Sequence, residues 1–327
     1  MTVVLVTGGA GYVGGHACKA LAAAGYTPVV YDNLVKGHRW AVKWGPLEEG
    51  DLLDRARLDE VFHEHKPAAV MHFAAYSEVG ESIADQGKYY RNNVLGTLTL
   101  LEAMRDHGVG HIVFSSTCAV YGEPQSTPIS EGQPLNPINP YGVTKLTVAR
   151  MLADFGAAHG LCSVALRYFN AAGADPDGEI GEVHEPETHL IPLVLDVALD
   201  RRPHISVFGN DYEIPDGTCV RDYIHVADLA EAHILALKTV MSQGSLPSVN
   251  LATGQGASVM AVIEAAHQVT GRPIEHRIAP RQSGDPPVLV ADAELAKTVL
   301  GWSASRPSLE CQIRDAWRWH SQGPHGE

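Results

Sequence analysis

Short apolar runs alternate with stretches of helical periodicity along the first half of the chain. Apolar runs rich in β-branched residues and bounded by turn residues are typical of buried strands, and apolar residues three and four positions apart indicate amphipathic helices. The runs predict strands at 3–7, 28–32, 68–73, 111–116 and 162–169. Helices are predicted between them, at 12–24, from 54 to about 66, from about 89 to 107, and at 141–159. This alternation predicts an α/β fold, a doubly wound parallel sheet with helices on both faces.

The pattern changes after about residue 170. Residues 171–189 are rich in Gly, Pro, Asp and Glu and show no periodicity. Further on, helices are predicted at 190–200, 227–239 and 258–270, with a strand at 205–208. We therefore predict a first domain over residues 1–177 and a smaller α/β domain over 178–327.

Composition and charge narrow the function classes. The chain has 327 residues, 45% of them hydrophobic, and 38 acidic against 24 basic residues give a net charge of −14, which argues against a nucleic-acid partner. No apolar run is long enough for a transmembrane helix, and the N-terminus has no basic region of a signal peptide. Five scattered cysteines without a C-x-x-C pair favour reduced thiols in the cytoplasm. The 17 histidines show no metal-binding spacing, so no metal site is predicted.

A glycine-rich turn follows the first strand and opens the first helix. Gly8, Gly11 and Gly14 lie in it, and such a turn lets backbone approach a dinucleotide pyrophosphate at the helix N-terminus. Asp32 ends the second strand 18 residues after Gly14, where a carboxylate binds the adenosine ribose and repels a 2′-phosphate. These residues predict NAD, while the basic residues at positions 36–39 leave NADP as the alternative.

A tyrosine and a lysine lie one helical turn apart. Tyr141 and Lys145 share a helix face, so the ammonium can lie beside the phenol and lower its pKa toward a value useful for acid–base chemistry. Thr117 follows Ser115 and Ser116 at the end of the fifth strand, where ligands bind in doubly wound sheets. The combination predicts a dehydrogenase-like site.

These motifs resemble the extended short-chain dehydrogenases/reductases, and most closely the UDP-glucose 4-epimerases. The resemblance runs over nearly the whole chain and is carried by segments 7–14, 31–34, 49–52, 72–75, 79–82, 92–94, 114–117, 139–142, 166–170, 208–212 and 220–226. It implies interconversion of UDP-galactose and UDP-glucose through a 4-keto intermediate, with reversible hydride transfer to tightly bound NAD. It also implies that residues 220–252 return to the first domain, and that a homodimer forms through the helices at 89–107 and 141–159.

The resemblance implies a role for individual residues. The implied acid–base group is Tyr141, assisted by Lys145 and Thr117. The positions implied to bind NAD are Gly8, Gly11, Tyr12, Val13, Gly14, Asp32, Asn33, Asp51, Leu52, Phe73, Ala74, Asn92, Lys145 and Tyr168. Those implied to bind the UDP-sugar are Thr117, Tyr141, Asn170, Leu190, Phe208, Arg221 and Asp285.

At several positions the sequence differs from the family pattern, and these differences leave the identity of the sugar substrate open. Gln282 stands where a diphosphate-binding Arg is usual, Ser77 where some members have Lys, and Leu289 at a position that helps decide whether N-acetylated sugars fit. UDP-pentoses and UDP-N-acetylhexosamines are therefore alternative substrates, and a non-catalytic NAD(H)-sensing protein is a further alternative. Cys118 and Ala119 replace the acids that related dehydratases and decarboxylases use, which favours epimerisation.

Overall fold

The computed structural model describes residues 1–281 and 286–322. Its strands are β1 Thr2–Thr7, β2 Tyr26–Asp32, β3 Leu47–Glu49, β4 Ala69–His72, β5 His111–Thr117, β6 Cys162–Tyr168, β7 Asn170–Ala172, β8 Ile205–Phe208, β9 Val220–His225, β10 Val249–Leu251, β11 Gly256–Ser258, β12 His276–Ala279 and β13 Val288–Leu289. Its α-helices are α1 Tyr12–Ala23, α2 Arg55–His65, α3 Val79–Ala84, α4 Gln86–Tyr89, α5 Gly96–Asp106, α6 Pro140–His159, α7 Leu190–Ala198, α8 Val226–Gln243, α9 Val259–Thr270, α10 Glu294–Leu300 and α11 Leu309–Gln322. A turn of π-helix, Tyr90–Leu95, joins α4 to α5.

A seven-stranded parallel sheet forms the larger part of the molecule. Its strand order is β10-β6-β5-β4-β1-β2-β3, so the chain reverses direction across the sheet between β1 and β4. Val4 and Val6 pack into one helical layer and Leu5 into the other, and all three are fully buried. The doubly wound fold predicted from the sequence is confirmed, and the reversal point is where ligands bind in such sheets.

Local capping sets the position of α6. Asn139 accepts a hydrogen bond from the Gly142 N–H at 2.8 Å, Pro140 occupies the first turn, and Gly160 ends the helix in the left-handed region. A polar cap, an N-terminal proline and a terminal glycine are strong helix boundaries. They fix the register that places Tyr141 at the sheet edge.

The second half of the chain forms two small sheets and also returns to the large one. Helix α8 packs on α1 and on β4, β5 and β6, and β10 extends the large sheet by pairing with β6. Strand β9 differs from the expectation for residues 220–252, because it pairs with β7, β11 and β13 in a separate four-stranded sheet. The division of the chain at residue 177 stays a prediction.

Candidate active site

A cavity of about 740 Å³ opens at the carboxyl ends of β1 and β4. Its wall combines the turns after the large-sheet strands with residues of the second half of the chain. The predicted site residues that line it are Gly8, Gly11, Tyr12, Val13, Gly14, Asp32, Asn33, Leu52, Phe73, Ala74, Asn92, Thr117, Tyr141, Lys145, Tyr168, Asn170, Leu190 and Arg221. The fold therefore gathers most of the predicted site around one cavity.

The glycine-rich turn is packed too tightly for side chains. Gly8 has φ +74°, and a Cβ there would lie 2.5 Å from the Ala74 amide nitrogen; one on Gly14 would lie 2.2 Å from the Gly8 carbonyl oxygen. No side chain caps α1 at Gly11, so the first-turn N–H groups remain available to an anion. This cradle fits the pyrophosphate of a dinucleotide.

Asp32 lies buried at the end of β2, beside the glycine-rich turn. Burial raises the pKa of its carboxyl, while the N–H groups of Leu34 and Ala10, which donate to it at 2.9 and 3.0 Å, oppose that rise. Each oxygen keeps a lone pair for a further donor, as two ribose hydroxyls would require. The arrangement fits an adenosine ribose and disfavours a phosphate there.

Asp32→Asn is expected to lower the preference for NAD over NADP by about tenfold, because the charge that repels a 2′-phosphate is removed. Equilibrium titration of nucleotide-stripped protein with each dinucleotide measures this ratio. Asp59→Asn, which removes a carboxylate paired with Arg55 on the surface helix α2, is the control. An unchanged ratio in Asp32→Asn contradicts the role given to Asp32.

Two neighbouring polar groups position cofactor-site residues. Asp51 does not line the cavity; its carboxylate accepts a hydrogen bond from Asn33 Nδ2 at 2.9 Å and so orients Asn33. The π-turn carries Asn92 to the cavity, where its Nδ2 donates to Asn93 Oδ1 at 2.9 Å. Asn93 Oδ1 also accepts from the Tyr76 N–H, which ties the π-turn to the loop after β4.

Tyr141, Lys145 and Thr117, the predicted catalytic residues, lie together in the cavity. Lys145 is buried, its Nζ donates to the Ser115 carbonyl at 2.8 Å, and it lies 5.9 Å from the centre of the Tyr141 ring. Burial lowers the pKa of Lys145 to about 7. Burial raises the pKa of Tyr141 well above its ordinary value, with a further rise from Tyr168, while hydrogen bonding with Thr117 opposes the shift. Burial therefore favours the protonated phenol at neutral pH in the protein without cofactor.

Ser115 contributes a contact that the sequence did not predict. Its hydroxyl lies 2.5 Å from the Tyr168 hydroxyl, while its carbonyl receives the Lys145 ammonium. Burial raises the pKa of Tyr168 to about 12, and Ser115 partly opposes that rise. Ser115 thus holds both Lys145 and Tyr168 beside Tyr141. The sequence signal that could have indicated a role for Ser115 is its position at the end of β5.

Not all residues implied to bind the UDP-sugar line the cavity. Arg221 lines the cavity from β9, and its Nη1 donates to the carbonyls of Val220 and Pro286 at 2.9 Å each. Phe208 ends β8 outside the cavity lining and is 41% exposed. Asp285 and Gln282 lie outside the described residues. Ser77 and Leu289 line the cavity, as do Cys118 and Ala119.

Two histidines line the cavity that were not among the predicted site residues. His184 and His189 lie in the segment before α7, and both contact the buried carboxylate of Glu182. Glu182 and Glu187 raise the pKa of both imidazoles against the opposing effect of burial. These histidines do not form a regular sequence motif, so the sequence alone did not predict that they share a site.

Comparison with known proteins identifies the family. A model described as the NAD dependent epimerase/dehydratase family matches residues 4–252. The chain belongs to this family. It is 54% identical over 319 residues to the UDP-glucose 4-epimerase of Rhizobium leguminosarum bv. trifolii, covering 98% of this chain and 97% of that protein. The resemblance drawn from the motifs is confirmed.

Solved structures agree with this assignment. UDP-glucose 4-epimerase from Brucella ovis in complex with NAD matches with a TM-score of 0.95 and 52% identity, over 97% of this chain and 98% of that one. UDP-glucose-4-epimerase from Stenotrophomonas maltophila, with bound NAD and formylated UDP-arabinopyranose, matches with a TM-score of 0.95 and 42% identity, over 98% of each chain. The Rossmann-type fold is thereby confirmed.

Two further sequence predictions can be compared with the structure. The five cysteines are free in the structure, and their redox state in the cell stays a prediction. Across residues 1–281 and 286–322, no helix combines the length and apolarity needed to cross a bilayer.

Proposed function

We propose that this chain is a UDP-glucose 4-epimerase that interconverts UDP-galactose and UDP-glucose with bound NAD. The observation that carries the proposal is the joint placement of Tyr141, Lys145 and Thr117 in one cavity with the glycine-rich turn and Asp32. Full-length relatives at 54% identity that are UDP-glucose 4-epimerases support the same substrate. Bound NAD would accept the hydride from the sugar C4 and would donate it back in the return step.

The chain's own residues provide the proton chemistry. The Tyr141 phenolate accepts the proton of the sugar O4 hydroxyl as C4 is oxidised, and the phenol returns it when the ketone is reduced. Lys145 holds its positive charge beside the ring, and that charge favours the phenolate. Thr117 hydrogen-bonds with the phenol and can orient O4 toward it. Each proton that Tyr141 takes is given back, so the site needs no second acid.

Two neighbouring positions argue against chemistry beyond C4. Ala119 lines the cavity and cannot transfer a proton. Cys118 also lines it, and burial raises the pKa of its thiol to about 11, so the thiol stays neutral at pH 7. Elimination of a hydroxyl needs a positioned acid and base. The site therefore supports oxidation and reduction at C4 rather than dehydration.

The deciding experiment is incubation of the purified protein with UDP-galactose, without added NAD, followed by separation of the UDP-hexoses. We expect UDP-glucose to form to equilibrium, with no NADH accumulating in solution. Parallel reactions with UDP-arabinopyranose and UDP-N-acetylgalactosamine compare kcat/KM among the sugars. A higher kcat/KM for either would reassign the natural substrate, and no turnover of any would favour the NAD(H)-sensing alternative.

Arg221→Met is expected to weaken UDP binding by about a hundredfold, because a bidentate guanidinium contact to the diphosphate is lost. Calorimetric titration of the NAD-loaded variant with UDP measures the change. Arg314→Met, at an exposed position on α11, is the matched control. If Arg221→Met binds UDP as the parent protein does, Arg221 does not hold the diphosphate.

We also propose a cytoplasmic homodimer. Tyr90 and Leu95 on the π-turn are 43% and 48% exposed, and this apolar surface lies on the predicted pairing helix. Light scattering after size-exclusion chromatography is expected to give twice the chain mass of 35.1 kDa. Leu95→Lys is expected to shift the protein toward the monomer, whereas a monomeric parent protein contradicts the proposal.

A further inference from the structure

We propose that a divalent transition-metal ion of the Zn²⁺ type binds at the edge of the cavity, on Glu182, His184, Glu187 and His189. One donor atom from each of these four side chains, called here the Glu182 cluster, lies within 4.8 Å of every other. The donor set is two imidazole nitrogens and two carboxylate oxygens. Imidazole selects zinc-like ions over Mg²⁺ and Ca²⁺, which prefer oxygen ligands.

The spacing of the donors suits a tetrahedral ion. Zinc bonds of about 2.0–2.2 Å in a tetrahedron place ligand atoms roughly 3.3–3.6 Å apart. His184 Nδ1 lies 3.2 Å from Glu182 Oε1 and 3.6 Å from Glu187 Oε2. His189 Nδ1 contacts Glu182 Oε1 closely and lies 4.0 Å from Glu187 Oε1. Small side-chain adjustments therefore suffice to place all four donors around one ion.

The charges of the Glu182 cluster also suit a divalent ion. The Glu182 side chain is only 4% exposed, and a buried carboxylate requires a compensating charge. Within the described residues, neither Glu182 nor Glu187 forms an ion pair with lysine or arginine. Two carboxylates with two neutral imidazoles balance the double charge of the ion. Binding of the ion requires both imidazoles to be deprotonated.

The other two clusters of potential ligands already have a basic side chain among them. Lys19 pairs with Asp175, Asp177 and Glu179 at 2.7–2.8 Å, so its ammonium occupies the centre of that group. Glu48, in the third group, pairs with Arg57 as well as with His65. Among the residues that the structure describes, the Glu182 cluster differs from both because its carboxylates pair with imidazoles and not with lysine or arginine.

The backbone around the Glu182 cluster is held in place by two side chains from other parts of the chain. Trp319 Nε1 donates to the Glu182 carbonyl at 3.2 Å, and Lys36 Nζ donates to the Glu185 carbonyl at 3.0 Å. The N–H of His189 donates to Glu187 Oε1 at 2.8 Å, which leaves Glu187 Oε2 facing His184. These contacts preorganise the donors, and a preorganised site costs less to order when the ion binds.

The test is metal binding to the full-length protein after chelator treatment and dialysis. We expect the parent protein to bind one Zn²⁺ per chain with micromolar affinity or tighter in competition with a chromophoric chelator, and to give the intense visible bands of tetrahedral Co²⁺. Mg²⁺ in large excess should not displace the ion. Stoichiometric binding can be measured whatever sugar the enzyme uses, so this test is independent of the proposed function.

His184→Gln and Glu187→Gln are expected to weaken Zn²⁺ binding at least tenfold and to abolish the tetrahedral Co²⁺ spectrum. His65→Gln and Asp177→Asn remove one ligand from each of the other two clusters and should leave both signals unchanged. Circular dichroism establishes that each variant is folded. Absence of stoichiometric binding, or unaltered binding by both cluster variants, would show that the Glu182 cluster is a set of ion pairs only and would overturn the proposal.

Discussion

Tyr141→Phe is expected to lower kcat for UDP-galactose by about a thousandfold, since a positioned acid–base group contributes roughly 10²–10⁴ in rate. The substitution removes one hydroxyl from the cavity and keeps the ring. UDP affinity should stay within about threefold, because the diphosphate is bound by other residues. Steady-state kinetics and a UDP titration on the NAD-loaded variant separate the two effects. Near-normal turnover in Tyr141→Phe would exclude this tyrosine as the acid–base group.

Tyr168→Phe is the matched control, because it removes a second phenol hydroxyl from the lining of the same cavity. The Tyr168 hydroxyl contacts Ser115, and Tyr168 raises the pKa of the Tyr141 phenol. We expect its kcat to change by less than about tenfold, far less than that of Tyr141→Phe. Equal losses in the two variants would mean that either hydroxyl can serve, which contradicts the assignment.

Much of the large sheet could be predicted because its signals are local. The run 3–7 differs from β1 by one residue, and Asp54, where the second helix is predicted to begin, caps α2 by accepting from the Arg57 N–H. Strands β7, β10, β11 and β13 were missed because each has three residues or fewer, too short for periodicity, and the six-residue β9 was missed because its polar and apolar residues do not alternate. Their partners are distant in sequence, and no local pattern specifies such pairings.

The site residues show the same difference between local signals, which the sequence reveals, and contacts that depend on the fold. Gly8, Asp32 and Lys145 were predicted because a turn, a strand end or a helical spacing marks each of them. The contact of Ser115 with Tyr168 joins two strands whose approach depends on tertiary packing, and the contact of Glu182 with His189 lies within an irregular loop whose conformation no local pattern specifies. Phe208 shows the opposite outcome, because the resemblance placed it on the substrate and the structure leaves it outside the cavity lining.

Lys145→Met is expected to lower kcat about a hundredfold and yet to stabilise the nucleotide-free protein. Lys145 is 3% exposed, and its one hydrogen bond among the described residues goes to the Ser115 carbonyl. Burying a charge without a carboxylate partner costs free energy, which is why the pKa of Lys145 falls from 10.5 to about 7. Methionine fills similar space without that cost, although it loses the hydrogen bond, worth about 1 kcal/mol.

The pH dependence follows from the direction of this shift. Below about pH 7 the lysine is charged in both states, so its penalty on the folded state is largest; between about pH 7 and 10.5 the folded state sheds the proton and the penalty disappears. Thermal unfolding should therefore show Lys145→Met about 3 °C more stable than the parent at pH 6, with the difference vanishing near pH 10. Lys238→Met, at an exposed position on α8, should show no such trend. Saturating NAD should reverse the order at pH 6, because Lys145 then gains a partner that the variant lacks; a pH-independent difference would contradict this account.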